Sequence, residues 1–87
     1  MEIFLTQKFK KSYRRLPKQI KKKTEIKEQI FRKNPFHPSL KTHSLYGEYK
    51  DYWAFSVDRS YRIMFQFLNA TKTKVAFINI GTHEIYK

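Results

Sequence analysis

Tyr61-Arg62-Ile63-Met64-Phe65-Gln66-Phe67 is the stretch that decides the fold. Tyr61, Ile63, Phe65 and Phe67 fall on one side of an extended chain and Arg62, Met64 and Gln66 on the other, the period of two that marks a strand with one buried face. The pattern continues outward in both directions. Tyr52 to Val57 reads as a preceding strand, joined through an Asp58-Arg59-Ser60 turn, and Val75 to Ile80 as a following one. Turns this tight favour an antiparallel meander.

The N-terminal part has a different period. Glu2 to Leu5 is a short extended segment, and Thr6 is placed to cap a first helix with an apolar stripe of Phe9, Tyr13 and Leu16. Pro17 suits the first turn of a second helix that runs to about Lys33 and carries Ile20, Ile26, Ile30 and Phe31. Asn34-Pro35 ends it, because the residue before proline avoids helical geometry. Phe36 to Lys50 reads as a structured loop held by Leu40 and Leu45. The expected architecture is α+β in the order β-α-α-β-β-β, residues 1–87 forming one domain with two N-terminal helices packed on a small, mainly antiparallel sheet.

Composition narrows the function. With 87 residues and no cysteine, neither a disulfide framework nor a thiolate metal site is available, and 15 aromatics (8 Phe, 6 Tyr, 1 Trp) must supply much of the core. His37, His43 and His83 lack close metal-ligand spacing, and no Gly-rich phosphate loop or serine-nucleophile motif is present, so no cofactor or metal is expected. No apolar run approaches the ~20 residues of a membrane span, and Met-Glu-Ile-Phe-Leu-Thr does not read as a signal peptide. A cytoplasmic location without membrane attachment is expected.

The net charge is +12, and residues 1–33 carry most of it, with twelve Lys/Arg against three Glu, a net +9. An ordinary solvated helix face mixes signs, and this one hardly does, which points to an anionic partner, nucleic acid first. Lys10, Lys11, Arg14, Arg15, Lys18, Lys21, Lys22 and Lys23 are too many for one active site. They lie on the predicted helical layer and read as a surface that docks on an RNA backbone; Lys41 and Arg59 add charge from loops.

Chemistry points elsewhere. Arg62 projects from the strand face that the helices need not cover, where its fork matches two phosphate oxygens; an exposed arginine paired with Asp58 or Glu84 fits the same pattern. His83 and Tyr86 follow the last strand, which brings them towards Arg62 if the two strands pair. RNA cleavage by a 2′-hydroxyl needs a base, charge stabilisation at phosphorus and an acid for the leaving 5′-oxygen; histidine serves as acid or base and arginine as stabiliser. His83 read alone is equally a surface histidine. His43 lies in a loop beside Lys41, and Tyr86 is the best candidate to stack on a base.

Leu40-Lys41-Thr42-His43-Ser44-Leu45-Tyr46-Gly47, the run from Trp53 to Phe65, and Ile80-Gly81-Thr82-His83-Glu84-Ile85-Tyr86 together resemble the RelE/ParE superfamily of toxins from toxin–antitoxin pairs, most of all its YafQ-type branch. The resemblance implies a ribosome-dependent mRNA endonuclease silenced by a cognate antitoxin, with the ribosome and mRNA as further partners. By the same resemblance His83 matches the C-terminal catalytic histidine of the YafQ and YoeB types, and His43 the loop histidine of the YafQ type. Arg62 matches the strand arginine that RelE and YoeB types hold against the scissile phosphate, and Tyr86 the terminal aromatic of the RelE type. Ser56 and Ser60 stand where the YafQ type has a further histidine and an aspartate, which leaves the general base unassigned. The rival readings are a ParE-like inhibitor of DNA gyrase and a non-enzymatic RNA-binding domain.

Overall fold

The computed structural model of the protein describes residues 1–86. Strand β1 (Glu2–Leu5) leads into helices α1 (Gln7–Arg14) and α2 (Lys18–Lys33), followed by strands β2 (His43–Ser44), β3 (Trp53–Ser56), β4 (Arg62–Phe67) and β5 (Lys74–Gly81). The five strands form one sheet in the order β1-β5-β4-β3-β2, antiparallel except for the β1–β5 pair. The expected order of elements holds, with one addition: the Phe36–Lys50 loop contributes β2, which pairs with β3 through His43–Ala54 and Ser44–Trp53.

Local chemistry sets the helix ends. Thr6 accepts a hydrogen bond from the Phe9 amide at 3.1 Å, and its hydroxyl lies 2.9 Å from the Phe77 carbonyl, so one side chain caps α1 and ties it to β5. Pro17 sits one residue earlier than expected, at the N-cap of α2 and not within its first turn, and Asn34 closes the helix. Leu16 lies beyond the end of α1, although it still packs on the core. Ile26 is not on the apolar stripe and is 60% exposed. At about 100° per residue, Ile20, Thr24 and Phe31 lie within roughly 40° of one line along α2, with Ile26 about 120° away. Thr24 takes the buried place instead, its hydroxyl bonded to the Ile20 carbonyl at 2.8 Å.

Both helices cover one face of the sheet. The Phe31 ring meets Phe55, Phe65 and Phe77 at centroid distances of 4.7, 4.9 and 5.6 Å, joining α2 to β3, β4 and β5. Each such aromatic pair adds about 0.5–1.5 kcal/mol beyond the area it buries. Leu40 is fully buried in the same cluster and anchors the long loop as expected; Leu45 is only half-buried.

One irregularity in the ladder positions everything at its far end. Met64 pairs with Asn79 but Phe65 pairs with Phe77, which leaves Ile78 with no opposite residue, a β-bulge. Val75 and Phe77 face the helices, and the bulge lets Ile80 face them as well.

The β3–β4 turn rests on Asp58, whose Oδ1 accepts from the amides of Tyr61 (2.7 Å) and Ser60 (2.9 Å), while Oδ2 lies 3.5 Å from Lys23 Nζ. The Tyr61 hydrogen bond, helped by those from Ser60 and Lys23, holds the carboxyl below its ordinary value of 3.8. A depressed folded-state value contributes stability above that ordinary value and loses it as pH falls through the folded one. Asp58→Ala is therefore expected to cost about 1–2 kcal/mol near neutral pH. Thermal melts in a pH series should show the gap between parent and variant closing below about pH 4; a gap independent of pH would remove the carboxylate from this role.

Candidate functional site

Arg62 opens β4 on the face away from the helices, as alternation from Ile63 and Phe65 requires. Its partner on one side is Ser56 of β3 and on the other Gly81 of β5. Beyond Gly81 the chain turns through Thr82 into a single 3-10 turn, His83–Tyr86, which folds back over the sheet. The Tyr86 ring lies over Arg62, 6.0 Å from Cζ, and is 6.3 Å from Tyr49, which is itself 6.3 Å from Tyr52.

Arg62 is half-buried, not exposed as its sequence position suggested, and Asp58 is occupied by the turn and Lys23, so the Arg62–Asp58 pair considered above does not form. Arg62 Nε and Tyr86 Oη are both shielded from solvent, and neither has a hydrogen-bond partner among the described residues. Leaving such a donor unpaired costs about 1–3 kcal/mol, a deficit that an incoming oxygen would relieve. Burial raises the Tyr86 phenol above its ordinary 10.0, and the Arg62 guanidinium pulls it part of the way back. Near neutral pH the phenol is therefore protonated and able to donate.

His83 is exposed, its Nε2 3.4 Å from Glu84 Oε1. His43 lies on β2 in register with Ala54 and Met64, on the same face as Arg62 but across the sheet. With strands about 4.8 Å apart, it stands roughly 10 Å from the axis of β4. Its Nδ1 is 2.9 Å from the Lys41 carbonyl. A carbonyl only accepts, so Nδ1 carries the proton, and Nε2 is the lone-pair nitrogen of the neutral ring. The structure thus brings Arg62 and Tyr86 into contact, tethers His83 in the same turn, and holds His43 apart on the same face. Among the described residues no group of three or more His, Asp or Glu side chains gathers at a metal-binding distance.

The basic residues of the helices occupy the other side of the sheet. Lys10, Lys11, Arg14, Arg15, Lys18 and Lys22 are exposed there. Lys21 rests over the Tyr13 ring at 5.7 Å and Lys23 beside Asp58, so these two are engaged within the fold.

Sequence reasoning missed Gly81. A Cβ at this position would sit 2.7 Å from Ile85 Cγ2, so the closing turn can lie against β5 only because residue 81 has no side chain. The signal was that one of only two glycines in the chain stands at the end of a mostly apolar strand.

Solved structures share this fold. A YoeB/ParE toxin from Agrobacterium tumefaciens superposes with a TM-score of 0.78 at 17% identity, covering 95% of this chain and 99% of that one. YafQ from E. coli strain BL21(DE3) gives 0.78 at 20% identity over 98% and 96%. The E. coli DinJ–YafQ toxin–antitoxin complex gives 0.75 at 20% over 97% and 93%. No curated protein matches the sequence significantly. The architecture is that of the small RelE-like toxins. Residues 1–86 match the family model described as "Bacterial toxin of type II toxin-antitoxin system, YafQ", and the chain belongs to that family.

Gly81→Ala should push Ile85 away and lift Tyr86 off Arg62 while the sheet survives. Tyrosine ionisation followed in the ultraviolet, with Tyr86→Phe identifying the Tyr86 component, should show that component moving back towards 10.0. Adding Ile85→Ala should restore the late titration by removing the clashing methyl. An unchanged titration in Gly81→Ala would mean that the turn does not depend on this glycine.

Proposed function

We propose that this toxin is an endoribonuclease that cleaves mRNA on the ribosome, in the cytoplasm, and is held inactive by a cognate antitoxin. The observation that carries the reading is strand order. β4 with Arg62 lies between the β2–β3 side, which bears His43, and β5, which leads to His83. In-line attack at phosphorus needs a base and an acid on opposite sides of the phosphate, with positive charge between them.

In this mechanism His43 Nε2 takes the proton of the 2′-hydroxyl, the O2′–P bond forms, and Arg62 with the Tyr86 hydroxyl stabilises the added charge on the phosphoryl oxygens. His83 gives its proton to the leaving 5′-oxygen as the P–O5′ bond breaks. The products are a 2′,3′-cyclic phosphate and a 5′-hydroxyl. His43 is assigned as base because the Lys41 carbonyl holds a proton on Nδ1, so that in the neutral ring Nε2 is the nitrogen that can accept one. The antitoxin is expected to be acidic, to match a chain of net charge +12; the DinJ–YafQ toxin–antitoxin complex supports an antitoxin as partner. The exposed lysines of α1 and α2 dock on ribosomal RNA, on the side away from the message.

His83→Ala and Arg62→Ala should each slow cleavage of ribosome-bound mRNA by about 10²–10³. Thermal melts belong with the Arg62 variant, since its side chain is half-buried. A pH–rate profile of His43→Ala should lose the limb that rises with pH. Undiminished cleavage in both of the first two variants would overturn the nuclease reading; growth arrest with intact mRNA would favour gyrase or simple RNA binding.

The docking layer is tested separately by Lys10→Gln, Lys18→Gln and Lys22→Gln together, all three being exposed. Ribosome affinity should fall, and its log–log salt slope should flatten by about 0.7–0.9 for each phosphate no longer neutralised, with the choice of cleavage site unchanged. Unaltered affinity across salt would leave these lysines as solvated helix surface.

A further inference from the structure

A second concentration of charge adjoins the site, where Lys27 of α2 meets Lys41 and Arg59 of the loops. The β2 ladder starts at His43, paired with Ala54; continued backwards, it would set Lys41 opposite Ser56. The chain does not continue that way. Lys41 turns aside in the left-handed region at φ 51, its amide donating to the Pro38 carbonyl at 3.2 Å as the close of a short 3-10 turn. Such a conformation costs a non-glycine residue about 1 kcal/mol, and strain of this kind gathers at functional sites. The divergence opens a groove of about 360 Å³ at the end of the β3–β4 hairpin, lined by Val57 and by the polar residues Lys27, Ser39, Lys41, Ser56, Asp58 and Arg59.

The groove is electrostatically one-sided. Its single acid, Asp58, is spent on the Ser60 and Tyr61 amides and on Lys23. Lys27 Nζ is steadied by one hydrogen bond to the Ser39 carbonyl at 3.2 Å, which leaves two of its protons for another acceptor. Lys41 and Arg59 have no ion-pair partner among the described residues. Three cations on three separate segments thus converge on one concavity.

We propose that this groove is a phosphate subsite for single-stranded RNA, holding a backbone phosphate next to the one at Arg62. The proposal rests on the nuclease reading above and extends it. RNA is favoured over a free anion by position: Ser56 both lines the groove and is the cross-strand partner of Arg62, a separation of about 5 Å between backbones. Two phosphates of one strand can be held together across that step. The Lys41 carbonyl also fixes His43 Nδ1, so filling the groove bears directly on the orientation of the assigned base.

The test uses a short 2′-O-methyl RNA, which cannot be cleaved, and inorganic phosphate as a separate probe. Combined Lys27→Gln, Lys41→Gln and Arg59→Gln should weaken binding of the RNA about tenfold or more and lower its salt slope by about 0.7 for each phosphate left without its cation. Lys41→Gly alone removes a charge while relaxing the left-handed backbone, so it should weaken binding in a protein at least as stable as the parent. On adding the RNA, the backbone amides of Ser56, Asp58 and Arg59 should shift in the parent's NMR spectrum. Unchanged affinity and slope in both variants would overturn the groove, whether or not His83→Ala abolishes cleavage. Amide shifts with phosphate but not with RNA would also overturn it, by making the groove a site for the free anion. Groove-dependent RNA binding with no cleavage by the parent protein would leave the subsite standing and refute the nuclease reading alone.

Discussion

Val75, Phe77 and Ile80 all face the helices, and a regular strand cannot do that, because the step from 77 to 80 changes parity. The bulge at Ile78 resolves the conflict. Without it, burying Phe77 against Phe31 would turn Ile80 towards water, and Gly81 would no longer lie level with Arg62 on the open face. One unpaired residue in β5 therefore serves the core and the site together. Phe31 depends on it in turn, since that ring closes on Phe77 as well as on Phe55 and Phe65.

The sheet also divides the charge. On the helical side lysines and arginines are spread over two exposed helices, a geometry suited to following a phosphate backbone without reading it. Near the site the cations sit in defined settings: Arg62 beneath Tyr86 on the open face, and Lys41 and Arg59, joined by Lys27 from α2, around a groove at the end of the hairpin. Preorganisation separates the two surfaces more than the count of charges does. A guanidinium with a shielded, unpaired Nε has little to reorganise when a phosphate arrives, whereas an exposed lysine must give up rotamer freedom and hydration.

Glycine and tyrosine at the chain's end complete this arrangement in opposite ways. Gly81 contributes by having no side chain, so that Ile85 can press against β5. Tyr86 contributes by bulk, covering Arg62 and leaning on Tyr49. The closing turn has only a few residues and little burial of its own, so its position is set by the surface it meets.

The sequence by itself determined the order of elements, the two-faced character of the central strand, the cap at Thr6, the stop at Asn34 and the split between a basic helical layer and a histidine–arginine–tyrosine set. These follow from periodicity and from residues whose backbone preferences are local, and neither needs a partner to be read. Its motifs also led to the right family. The tertiary structure alone decided the rest. It turned Ile26 outward and Thr24 inward, because a helix face is chosen by what it packs against. It drew His43 into a strand that its own residues scarcely signal, shielded Arg62 under Tyr86, and opened the groove where Lys41 leaves the sheet. Each of these depends on residues far apart in the chain meeting in the fold, and no local preference encodes them.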